Sequence, residues 1–152
     1  MPSWGYSTVV GEKETEVRAS LREVDLSPKW AREVCESIKG LTIPEAKKLL
    51  EEVIKRKRMI RYSRYKKKRA HHAETAGPGG YPIKVSKHML KLLESLEANA
   101  EFKGLDPEKT KIVHAVSHRG RVAAKYIERA FGRSSPYNKC FVHIEVAAVS
   151  RQ

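Results

Sequence analysis

An α+β fold, an antiparallel sheet with helices packed on one face, is what the segregation of patterns along this chain predicts. Period-two alternation occurs once near the start, in Thr15–Arg22, and twice near the end, in Thr110–His118 and Cys140–Val149. Three amphipathic stripes of helical period lie between the first of these runs and the last two. The order is strand, helix, helix, basic insertion, helix, strand, long loop, strand, and no repeat at a solenoid period interrupts it.

Residues 1–12 hold aromatics and glycine without a pattern and read as an irregular lead-in. In the first strand Val17, Ala19 and Leu21 alternate with Arg18, Ser20 and Arg22, which suits a half-buried strand. Ser27-Pro28 then offers an N-cap with proline at the first helical position, and Gly40 offers the stop. Trp30, Val34, Cys35 and Ile38 share a face of that helix. Thr42 and Glu45 have the spacing of a capping box, and Ala46, Leu49, Leu50, Val53 and Ile54 follow at the intervals of a second amphipathic helix. A third helix, from about Lys84 to Phe102, carries Met89, Leu92, Leu93, Leu96 and Ala100 as its stripe, and Gly104 and Pro107 end it. The acidic faces of the first two helices read as solvated.

Between the second and third helices the pattern breaks. From Lys55 to Arg69 ten of the fifteen residues are Lys or Arg and none is acidic. His71-His72 and the glycine- and proline-rich stretch from Gly77 to Pro82 follow, so residues 55–82 are expected to be a basic insertion with turns and no packed element. Residues 119–139 form a second such extension. They join two strands that want to pair, yet exceed the usual 2 to 5 residues of a hairpin loop. Their cations are Arg119, Arg121, Lys125, Arg129, Arg133 and Lys139, against Glu128 alone. Continued as two extended arms of about ten residues, the tip would stand roughly 30 Å beyond the sheet, a long protruding β-hairpin turning near Phe131–Pro136. The whole is expected to be one domain, 1–152, with these two extensions.

The balance of 31 Lys plus Arg against 18 Asp plus Glu, net +13, calls for a polyanionic partner, nucleic acid before an acidic membrane surface. No apolar run approaches the roughly 18 residues of a membrane span. The start of the chain lacks a basic then apolar leader, and two cysteines, Cys35 and Cys140, read as reduced thiols, so a cytoplasmic setting is expected. Metal chemistry fails on geometry. Cys140 and His143 would face opposite sides of a strand, and His114 and His118, spaced as on a zinc helix, lie in a strand with Ala115 where a metalloprotease needs glutamate. Gly77–Gly80 lacks the Lys-Ser/Thr of a phosphate loop, and no nucleophile elbow appears. Nothing points to catalysis or to a cofactor.

The basic run points elsewhere. Ten cations in fifteen residues repel one another and are compensated best by a polyanion, while tyrosines among them offer planes for unpaired bases. The candidate RNA-binding residues are therefore Lys55, Arg56, Lys57, Arg58, Arg61, Tyr62, Arg64, Tyr65, Lys66, Lys67, Lys68 and Arg69, with His71 and His72 beside them. The hairpin adds Arg119, Arg121, Lys125, Arg129, Arg133 and Lys139. Two basic extensions on a folded body suit insertion into folded RNA.

The segments Ser27-Pro28-Lys29, Ile38-Lys39-Gly40-Leu41-Thr42 with Glu45-Ala46 and Leu49, then Arg129-Ala130-Phe131-Gly132-Arg133-Ser134 and Val142-His143-Ile144-Glu145-Val146 together resemble the L-twenty-two family of large-subunit ribosomal proteins, L-seventeen in eukaryotes. The likeness covers about residues 13–150. The insertion at 55–82 is foreign to the shorter bacterial pattern and gives the chain an archaeal look. The resemblance implies a three-stranded antiparallel sheet with three helices, seated on large-subunit ribosomal RNA beside neighbouring ribosomal proteins. It further implies that Arg129, Ala130, Phe131, Gly132, Arg133 and Ser134 form a tip in the wall of the exit tunnel, against the nascent peptide, with no membrane involved. The competing readings are a free-standing RNA-binding regulator and, from another class, a metal-dependent nuclease.

Overall fold

The computed structural model of the protein describes residues 5–8, 10–12 and 14–150. Met1–Trp4 and Val9, part of the expected lead-in, lie outside the described residues. In chain order the elements are β1 (Glu16–Val24), α1 (Pro28–Ile38), α2 (Ile43–Ile54), β2 (Ile60–Arg61), β3 (His71–His72), β4 (Gly77–Gly80), α3 (Ile83–Phe102), β5 (Thr110–Ala123), β6 (Tyr126–Glu128), β7 (Ser134–Pro136) and β8 (Lys139–Ser150). The main sheet has the order β1-β8-β5 and both pairings are antiparallel. The α+β class with three helices and a protruding hairpin is thus present.

The alternation read from the sequence decides which face meets the helices. Val17 and Ala19 of β1, Val142, Ile144, Val146 and Ala148 of β8, and Ile112 and Ala115 of β5 are buried on one side. Ile112 and Ala115 break the period of two because a bulge between Ile112 and His114 resets the register of β5 against β8. Against this face pack Val34, Cys35 and Ile38 of α1, Leu50 and Val53 of α2, and Met89, Leu92, Leu93 and Leu96 of α3, in one continuous apolar cluster. Burial drives the Cys35 thiol up to about 12, so it stays protonated and packs as a small apolar group.

Local chemistry fixes the helix ends. The expected capping box is present at the start of α2: the Thr42 side chain accepts from the Glu45 N–H, and the Thr42 N–H donates to Glu45 Oε2 at 2.9 Å. Ser27 precedes Pro28 as expected, but its side chain makes no cap hydrogen bond. Gly40, at φ 82°, turns the chain out of α1 and donates its N–H to Ile112 O at 2.8 Å, while Ile112 N–H donates to Leu41 O at 2.9 Å. The α1–α2 connection thereby caps the free edge of β5.

The opposite face of the sheet is not bare. Ser7 donates both its N–H and its hydroxyl to Glu145 Oε2 at 2.9 Å, and Arg22 reaches Glu145 Oε1 at 3.0 Å. The Arg18 guanidinium lies 5.4 Å from the Tyr6 ring and pairs with Glu16 at 2.6 Å. The lead-in thus straps the outer face and buries two carboxylates, Glu16 and Glu145, among ion pairs and hydrogen bonds.

One expectation fails here. Residues 55–82 do contain packed structure: β2, β4 and β3 form a second small sheet in that order, and Ile60, Tyr62 and Thr75 are buried. Gly77–Gly80, expected to be a turn, is its central strand. The physical reason is close approach. A Cβ on Gly79 would meet Thr75 at 2.8 Å, and one on Gly80 would meet the Tyr62 hydroxyl at 2.7 Å, so only glycine lets this backbone run beneath those side chains.

Candidate RNA interface

Two basic surfaces project from the body, and they are built differently. In the insertion, the carboxylate of Glu33 on α1 is the organising group. It is buried, not solvated as the acidic helix faces were expected to be, and it accepts the N–H of Ser63 at 2.7 Å, of Arg64 at 3.0 Å and of Tyr65 at 3.1 Å. The Ser63 hydroxyl adds a fourth donor at 3.1 Å. Burial alone would push this carboxyl up, but the donors outweigh it and hold the pKa below the ordinary range. A basic loop that should repel itself is thereby pinned by its backbone, with its side chains turned outward.

Tyr62 requires a correction. It was expected to stack on RNA, but it is buried, and its ring lies 6.2 Å from that of Trp30 at an interplanar angle of 28°. The alternating burial of Ile60 and Tyr62 around exposed Arg61 is the strand period at work. The remaining residues do lie at the surface: Lys55, Arg56, Lys57, Arg58, Arg64, Tyr65, Lys66, Lys67, Lys68, Arg69 and His71 are exposed and His72 is half-buried. Lys55 and Arg58 pair loosely with Glu51 and Glu52, each at 3.7 Å. Arg69 folds back over Trp30, its guanidinium 4.8 Å from the ring centroid.

In the hairpin, β5 and β8 stay paired out to Ala123 opposite Lys139, and β6 and β7 continue the ribbon through Tyr126 opposite Pro136, Ile127 opposite Ser135 and Glu128 opposite Ser134. The turn is therefore Arg129–Arg133, earlier than the expected Phe131–Pro136, and Ser134 belongs to the returning arm. Arg129 N–H donates to Arg133 O at 2.8 Å, with Phe131 at φ 58° and Gly132 at φ 65°. Two successive left-handed residues make the reversal there, and Pro136 lies in the strand instead.

Along the ribbon, Arg119, Lys125, Arg129 and Arg133 are exposed with no carboxylate partner among the described residues. Arg121 and Lys139, at the root, are partly neutralised by the body: Arg121 lies 3.7 Å from Glu23, and Lys139 shares Asp25 with Lys84, each at 2.9 Å. Those two lysines hold Asp25 below its ordinary pKa. The ribbon also exposes apolar surface, at Tyr126, Ile127, Tyr137 and Phe131, the last 99% accessible. Lys29, Trp30, Tyr126 and Tyr137 were not among the RNA-binding candidates picked out from the sequence. Trp30 was placed on the stripe of α1, and it does pack, half-buried, against the apolar cluster.

A small α+β body bearing two arginine- and lysine-rich projections carries the electrostatic footprint that suits a polyanionic partner. The family model Ribosomal protein L22p/L17e matches residues 19–149. Relatives named large ribosomal subunit protein uL22 match over nearly their full length: that of Thermofilum pendens is 47% identical over 97% of both chains, that of Ignicoccus hospitalis 44% over 96% of both, and that of Nitrosopumilus maritimus 40% over 97% of this chain and 98% of its own. The chain belongs to this ribosomal protein family. It is a structural large-subunit protein of the cytoplasmic ribosome, not an enzyme.

Proposed function

We propose that this protein binds large-subunit ribosomal RNA through both basic projections, supports subunit assembly, and lines the nascent-peptide exit tunnel with the tip of its hairpin. The observation that carries the reading is the hairpin itself, a paired ribbon on which exposed Arg119, Lys125, Arg129 and Arg133 have no acid partner among the described residues, while the apex of its turn presents the apolar side chain of Phe131. Guanidinium and ammonium groups on the arms, Arg119, Arg121, Lys125 and Lys139, match phosphate. Phe131-Gly132 has nothing to offer phosphate, and bulk at such a tip suits a wall that a peptide passes. The insertion forms the second contact, through Arg61, Arg64, Lys66, Lys67, Lys68 and the neighbouring cations. Partners are then ribosomal RNA, adjoining ribosomal proteins and the nascent peptide. Among the described residues no helix is long and apolar enough to cross a membrane.

The test pairs two variants. Arg119, Arg121 and Lys125 changed together to Ala should reduce incorporation into large subunits in sedimentation profiles. Deletion of Ala130–Gly132 should leave incorporation nearly normal and change stalling by particular nascent peptides. A tip deletion that blocks assembly beside an arm variant that assembles normally would reverse these roles. Binding to ribosomal RNA should also weaken steeply with added salt, because each neutralised phosphate releases counterions.

A further inference from the structure

We propose that the cleft between the start of α1 and the 64–69 turn is a pocket for one unstacked RNA nucleotide, its base against Tyr65 and the Trp30–Arg69 stack and its phosphate on Lys29, Arg64 and Lys67. The proposal rests on the RNA-binding reading and gives that surface a specific ligand. The cleft measures about 390 Å³ and is lined by those six side chains alone. Four are cationic, two are aromatic and none is acidic. The carboxylate beneath the loop, Glu33, is already taken up by the N–H groups of Ser63, Arg64 and Tyr65.

Two flat surfaces face this space. The Arg69 guanidinium lies 4.8 Å from the Trp30 centroid, and Trp30 is backed by the buried ring of Tyr62, which fixes the platform. The Lys29 ammonium lies 5.7 Å from the Tyr65 centroid, so the second plane also carries a cation beside it. A nucleobase stacks on aromatic rings and on guanidinium planes alike, while the adjoining phosphate is matched by ammonium and guanidinium donors. A bare anion would use the four cations and leave the aromatic planes without a role. The planes favour a nucleotide. Stacking needs no base-edge hydrogen bonds, so the pocket accepts any base of a single strand but not a paired one.

The experiment uses the full chain carrying Trp4→Phe, which leaves Trp30 as its one tryptophan. It is titrated with a ten-residue oligoadenylate and with a ten-residue abasic ribose-phosphate chain of equal charge. The oligoadenylate should quench Trp30 emission and the abasic chain should not. Adding Tyr65→Ala, at a side chain 37% accessible and so outside the core, should weaken oligoadenylate binding by about fivefold to a hundredfold and leave abasic binding unchanged. Absence of quenching, or equal weakening of both ligands, overturns the pocket. Filter binding of large-subunit RNA by the same proteins separates the two readings. Retained salt-sensitive RNA binding without quenching refutes the pocket alone, and loss of all RNA binding refutes both.

Discussion

The insertion at 55–82 and the hairpin at 119–139 look alike in the sequence, since both are basic and both lack apolar periodicity. In the structure they differ in how order is obtained. The insertion is tied down from outside itself: Ile60 and Tyr62 enter the main core, and Glu33 on α1 satisfies three successive N–H groups of the loop. Beyond two ion pairs at its root, Arg121 with Glu23 and Lys139 with Asp25, the hairpin is tied down along its own length by strand pairing, and its side chains from Ala124 to Ser134 are exposed. A charged segment can therefore be part of the body or an appendage, depending on a few anchors that charge does not reveal. The insertion should behave as body, and the hairpin as an arm that the body does not need.

The widest separation between the two should come from matched isoleucines and from the anchoring carboxylate. Ile60→Ala is expected to destabilise the free protein by about 2–4 kcal/mol, through lost burial and a residual cavity. Ile127→Ala, at a side chain 40% accessible, should fall within about 0.5 kcal/mol of the parent. Urea unfolding of both variants checks this, and equal losses would abolish the distinction. Glu33→Ala strands the N–H groups of Ser63, Arg64 and Tyr65 with no acceptor, at a cost of about 2–4 kcal/mol. Limited proteolysis should then cut near Ser63 well before it cuts the parent there.

These anchors mark where the sequence stopped being readable. The main sheet, the helical stripes and the existence of a hairpin were legible because each depends on residues close in sequence whose period reports a buried face. Gly79 and Gly80 were misread because glycine signals a turn and a close approach equally. Thr75 and Tyr62, which require the glycines, become neighbours only after folding. Glu33 was misread because helix acids are usually solvated, and its partners lie about thirty residues away. The exposed cations were legible as a set. Their division into paired roots, Arg121 and Lys139, and free arms, Arg119, Lys125, Arg129 and Arg133, depended on Glu23 and Asp25 of the body.

Acid should act on the body through its buried carboxylates. Hydrogen bonds from Arg18 depress Glu16; for Glu33 and Glu145 burial acts upward but donors, with Arg22 beside Glu145, prevail. A carboxyl whose folded pKa lies below its unfolded value contributes stability that is complete above the unfolded value, about 4.3, and is lost as pH falls through the folded one. Stability should therefore be flat above about pH 5 and decline below about 4.3. Glu145→Gln, which keeps the shape at the Ser7 contact, should make the decline shallower. A pH–stability curve of the variant that superimposes in slope on the parent would remove Glu145 from this account.

The smallest expected effect tests the comparison from the side of the hairpin. Replacing residues 124–138 by a two-residue Asn-Gly turn leaves β5 and β8 paired through Ala123 and Lys139 and supplies the turn type that short hairpins favour. The excised residues include no member of the apolar cluster, and a two-stranded ribbon is marginal by itself in water. The ion pairs at its root, Arg121 with Glu23 and Lys139 with Asp25, remain. Thermal unfolding followed by circular dichroism should be cooperative, with stability changed by less than about 1 kcal/mol, as for surface changes that remove no core. Hydrogen exchange in the parent should agree, with the amides of Tyr126–Pro136 exchanging much faster than those of Ile60–Tyr62, since local opening follows the density of buried contacts. A non-cooperative or aggregated product would show that the ribbon belongs to the folding unit. The hairpin would then be body as much as the insertion is.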